Sequence, residues 1–104
     1  MSRRARMTAV AGRAGRGKHA VEITIVGLVG PRSERSIINV EESLAGMDND
    51  VGVEWISDPL EICKLGSLQA PSVYVNGTLR SSGRIPSVHE IRKWVDEELS
   101  EVAA

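Results

Sequence analysis

The stretch "PSVYVNGTLRSSG", residues 71–83, constrains this chain more than any other. Two short β-forming runs flank Asn76-Gly77, the dipeptide that tolerates positive φ at both central positions of a type I′ turn, so the second half of the sequence holds a β-hairpin. Upstream, "VEITIVG" at residues 21–27 is short and β-branched and reads as a buried strand. The run breaks on Gly30-Pro31. "SERSIINVEESLAGM" then places Ile37, Val40, Leu44 and Met47 at helical spacing, with Glu41 and Glu42 turned outward and Gly46 near the exit.

"DVGVEWI", residues 50–56, alternates as a second strand. "DPLEICKLG" follows as a short helix with Asp58 as N-cap, Pro59 at the first helical position and Gly66 closing it. After the hairpin, "PSVHEIRKWVDEEL" opens with Ser87 and Glu90 in capping-box spacing and lines Val88, Ile91, Val95 and Leu99, with Trp94 beside them, on one face. The order is β-α-β-α-β-β-α. Strands joined through a helix run parallel and the hairpin antiparallel, so the expectation is an α/β domain over residues 20–104, a four-stranded mixed sheet with helices on both faces.

At 104 residues and 41% hydrophobic content, one domain with a modest core is what the chain can build. The single cysteine, Cys63, rules out a disulfide within one chain and a four-cysteine metal site, and His19 and His89 do not make a zinc site without several carboxylates. No metal and no cofactor are implied. Residues 1–19 carry six basic residues and no acid, and they lack both periodicity and apolar surface, so a disordered basic tail is expected there. The rest holds seven basic against fourteen acidic residues, a balance of −7 that argues against nucleic-acid binding by the folded domain; any such contact belongs to the tail. Arginines interrupt the tail where a signal peptide needs an apolar run, and no stretch approaches the roughly 20 apolar residues of a membrane span, so a cytoplasmic protein is expected.

Three segments, "TIVGLVGPRSERS", "QAPSVYVNG" and "SSGRIPSVHEIRKWV", together resemble the redox-active disulfide protein 2 family, small thioredoxin-fold proteins of archaea and bacteria. The resemblance covers roughly residues 21–99 and implies a thioredoxin-like fold. It implies further that a glycine loop ends the first strand, a CxxC motif opens the first helix, and an Ala-Pro or Thr-Pro pair precedes the hairpin. Here the CxxC positions fall on Gly30, Pro31, Arg32 and Ser33, so both thiols are missing. Dithiol exchange needs a thiolate at the helix N-terminus and a second thiol to resolve the mixed disulfide, and a serine hydroxyl does neither.

Three features of such a site do not depend on sulfur. The helix N-terminus after Pro31 favours an anion and carries Arg32 and the hydroxyls of Ser33 and Ser36, although a Ser33 that only caps the helix is the plainer reading. The Ala70-Pro71 pair matches the family's cis-proline, before which the backbone can accept an extended partner by strand addition. Cys63, one residue after Ile62 and three after Leu60, reads first as a core side chain and second as a reactive monothiol. His89 in the first turn of the last helix reads as solvated, and no Ser-His-Asp order, phosphate loop or metal spacing stands out. The expected function is peptide or protein binding through Gly30 to Ser33 and Ala70-Pro71. A thiol-disulfide oxidoreductase or redox sensor working through Cys63 is the alternative.

Overall fold

The computed structural model describes residues 20–46, 51–66 and 69–103. Seven elements follow one another: β1 (Val21–Val26), α1 (Pro31–Ser43), β2 (Val51–Ile56), α2 (Pro59–Leu65), β3 (Ser72–Val75), β4 (Thr78–Ser82) and α3 (Val88–Ala103). They form one four-stranded sheet in the order β2-β1-β3-β4. β1 runs parallel to β2, with Val21 opposite Val51 and Val26 opposite Ile56. β3 is antiparallel to both β1 and β4, and a register irregularity falls between Val73 and Tyr74 in the hairpin. The expected β-α-β-α-β-β-α order and mixed sheet are therefore what the chain adopts.

Alternation along the central strand decides where the core lies. Val21, Ile23 and Ile25 of β1 join Val73 and Val75 of β3 and meet Ile37, Val40 and Leu44 from the first helical segment and Ile91 and Val95 from α3, all buried. The helical spacing of those residues puts them on the inward stripe of their helices. Each fully buried aliphatic side chain contributes about 1.5–3 kcal/mol through removal from water.

The hairpin turn has the expected geometry, with φ of 51° at Asn76 and 83° at Gly77. Ser87 and Glu90 form the capping box, each bonding the other's backbone N–H. Asp58 caps α2 by accepting from the Leu60 N–H at 2.9 Å. α1 ends earlier than its apolar spacing predicts, at Ser43 with Leu44 as C-cap, and Met47 lies outside the described residues. The expected tail at residues 1–19 also lies outside them. Among the described residues, no helix is long and apolar enough to cross a membrane.

Cys63 corrects an expectation. Leu60, Cys63 and Lys64 share one face of α2 by their spacing and all are exposed, Leu60 by 70%, while Ile62 and Leu65 are only half-buried. The face assigned to the core thus points to solvent. A seven-residue helix with no buried residue has no stripe deep enough to carry Cys63 inside.

Candidate binding site

The candidate site lies where β1 ends. Gly27 is pinned to β2 from both sides of its peptide: its N–H donates to the Ile56 carbonyl at 3.0 Å, and the Trp55 indole donates to its carbonyl at 2.9 Å. A Cβ built on Gly27 would stand 2.5 Å from the Ser33 hydroxyl oxygen, 3.5 Å from the Ala70 Cβ and 3.5 Å from the Pro71 Cα. The absence of a side chain at Gly27 is what lets α1 and the Ala70-Pro71 segment close on the same point. Ser33, Ala70 and Pro71, far apart in sequence, are thereby brought together.

Pro31 starts α1 at its first position, where the missing N–H costs nothing. Gly30 is the N-cap and supplies no side-chain bond. Ser33 is therefore the third helical residue and not the cap, which corrects the capping expectation. The helix ladder begins with Glu34 donating to the Gly30 carbonyl at 2.9 Å, so the N–H groups of Arg32 and Ser33 have no acceptor among the described residues. Ser33 is 4% exposed, and its hydroxyl makes no hydrogen bond among the described residues. Pro31 and Arg32 are exposed, and a Cβ on Gly30 would meet nothing within 4 Å.

The opposite wall is the segment leading into β3. The Ala70–Pro71 peptide is cis, Pro71 is buried and Ala70 is exposed. The Ser72 hydroxyl donates to the Gln69 carbonyl at 2.6 Å and ties this segment down. The Gly83 N–H donates to the Pro71 carbonyl at 3.0 Å. Gly83 sits at φ 79°, and a Cβ there would come within 2.6 Å of the Gln69 side-chain oxygen, so only glycine closes this corner without strain. From the first wall Arg32 reaches across and donates to the Gly83 carbonyl at 2.9 Å.

Gly27, Gln69 and Gly83 border the candidate site, and no local spacing in the sequence marks them as its neighbours. Exposed Leu28 and Val29 lie in the loop just before α1. Cys63 is not part of this arrangement, since it lies in the last turn of α2 and no hydrogen bond or ion pair links it to any of these residues. No cluster of three His, Cys, Asp or Glu side chains able to hold a metal exists among the described residues.

A strand ending at a glycine, a helix opening beside a cis-proline, and a hairpin leading to a third helix are the parts of a known domain. The family described as thioredoxin domain matches residues 21–96. The chain belongs to the thioredoxin domain family. A comparison with curated proteins found no match. Within this thioredoxin domain, the helix-opening residues Gly30, Pro31, Arg32 and Ser33 contain no cysteine, and the one thiol, Cys63, sits on α2.

Proposed function

We propose that this thioredoxin-fold protein binds an extended peptide or protein segment in the groove between Gly30–Ser33 and Ala70-Pro71, in place of dithiol exchange. The observation that supports this reading is that Ser33, Ala70 and Pro71 all lie close to the point a Gly27 side chain would occupy, with a hydroxyl at the position the redox-active disulfide protein 2 resemblance gives to the second thiol. Gly30, at the position of the first, offers open space and no sulfur. A hydroxyl does not form the mixed disulfide that dithiol exchange requires, whereas strand addition at Ala70 needs only backbone N–H and C=O groups.

Gly30→Trp tests it. The Gly30 backbone is extended, at φ 167° and ψ 176°, which any residue adopts, and its outward direction is empty. The variant should unfold within a few degrees of the wild type and lose at least tenfold in affinity for peptides selected by display against the wild-type protein. Unchanged affinity would remove the groove from the account.

Exposure of Cys63 favours a second reading, a monothiol oxidoreductase or redox sensor on α2. It requires turnover of a glutathione mixed disulfide by the wild type and none by Cys63→Ser. Equal rates would end it.

A further inference from the structure

The groove has a chemical preference built into its first wall. Arg80 pairs with Glu97 and Glu98, Arg84 with Glu90 and Arg92 with Asp96. Arg32, at the groove mouth, has no carboxylate among the described residues and holds only the neutral Gly83 carbonyl. A carboxylate is the stronger acceptor for a guanidinium, so this contact is one that an incoming anion can replace. Beside it the head of α1 presents the N–H groups of Arg32 and Ser33 without acceptors, under a cap that supplies none. Ser33, a residue 4% exposed whose hydroxyl has no hydrogen bond among the described residues, turns that hydroxyl toward Gly27, the point that Pro71 also borders. Guanidinium, open N–H groups and hydroxyl are three donors of the first turn of α1 that have no partner of opposite charge among the described residues. Glu34, exposed in the same helical turn, opposes an anion and limits the preference.

We infer that the groove takes an extended segment carrying an acidic side chain, whose carboxylate draws Arg32 from the Gly83 carbonyl and accepts from the head of α1. The inference rests on the peptide-binding reading above and names its ligand class. Arg32 spans from the head of α1 to Gly83, and Val29 before that helix and Ala70 on the opposite segment are both exposed and open to a chain that continues past the carboxylate, so the carboxylate comes from a side chain and not from a chain end.

The test titrates the full chain with labelled, end-blocked nine-residue peptides of alternating Ser and Val that differ only in a central Glu, Gln or Lys. A fourth peptide carries the central Gln and a free C-terminal carboxylate. The Glu peptide should bind about tenfold more tightly than the Gln peptide, the usual difference between a charged and a neutral acceptor. Arg32→Gln should abolish the difference and Glu34→Gln should widen it. Equal binding of the Glu and Gln peptides leaves the groove reading standing and overturns the carboxylate, as does a preference that survives Arg32→Gln. A fourth peptide that matches the Glu peptide overturns the assignment to a side chain. If no peptide binds, the groove reading fails and acetate at constant ionic strength decides the remainder by amide NMR. Saturable shifts at Arg32 and Ser33 that vanish in Arg32→Gln sustain the carboxylate site, and their absence overturns it.

Discussion

A Cβ on Gly27 would sit 2.5 Å from the hydroxyl oxygen of Ser33, so the end of β1 and the first turn of α1 approach only because one partner has no side chain. The hydrogen bonds of Gly27 to Ile56 and Trp55 keep the strand from retreating, and the burial of Ser33 keeps the helix from doing so.

Gly27→Ala should therefore destabilise the protein by about 1–3 kcal/mol, the usual cost of overpacking. Ser33→Ala removes the oxygen that the new methyl group meets, so it should return most of that loss in the double variant. Urea unfolding of the two single variants and the double variant checks the coupling. Additive effects would mean that the two residues do not share the contact.

Restoring sulfur probes the same geometry chemically. In a Cys63→Ser background, Gly30→Cys with Ser33→Cys should form an intramolecular disulfide under mild oxidation, seen as loss of two titratable thiols without dimer formation. Gly30 has open space for the side chain, and Ser33 is replaced by a residue with one heavier atom in the same place. Two thiols that stay free, or pair only between chains, would show that the head of α1 lacks the shape of a dithiol site.

Glu90 gives the fold a defined response to acid. Hydrogen bonds from Arg84, at 2.8 Å and 3.0 Å, and then from the Ser87 N–H hold its carboxyl at about 2, well below the ordinary carboxylate range. A carboxyl with a depressed pKa in the folded state contributes its full stability above the unfolded value, 4.5, and loses it as pH falls toward 2. The pair is half-exposed, so solvent screening limits the contribution to about 0.5–1 kcal/mol. Glu90→Gln should cost that amount at pH 7, and the gap to the wild type should close near pH 2. A gap of constant size across this range would contradict the assignment.

Asn76 ties three elements together. Its side-chain oxygen accepts from the Glu22 N–H at 2.8 Å and its amide donates to Glu98 at 2.9 Å, from a backbone at φ 51°. Asn76→Gly keeps the backbone and loses the bonds, at a cost of about 1–2 kcal/mol, while Asn76→Ala adds backbone strain and should cost about 1 kcal/mol more. Thermal unfolding of the two variants should rank them in that order, and the reverse order would contradict the role given to the turn.

Cys63 should react with iodoacetamide in the folded protein at a rate within a few-fold of the denatured chain, because its thiol is exposed. Strong protection in the fold would contradict its place on the solvent face of α2.

Local chemistry made most of the fold legible. Asn76-Gly77, the Asp58 cap and the Ser87/Glu90 box act within a few residues and could be read as written. The site was legible only in part. Arg32 meets Gly83 across 51 residues and Ser33 meets Pro71 through Gly27, contacts that sheet order creates and no local spacing encodes. The start of α1 was blurred because Ser33 looks like a cap, whereas Pro31 already sits in helical geometry and moves the cap to Gly30. Cys63 was misplaced because Leu60, taken as a marker of the buried face, is itself exposed. On so short a helix two apolar residues do not define an inward side.

The most direct test of the groove is amide chemical-shift mapping of the full chain with a display-selected peptide. The account predicts saturable changes at Gly30, Arg32, Ser33, Ala70 and Gly83, with Cys63 and its neighbours on α2 unmoved. Changes confined to α2, or to the face of the sheet away from Gly27, would contradict it.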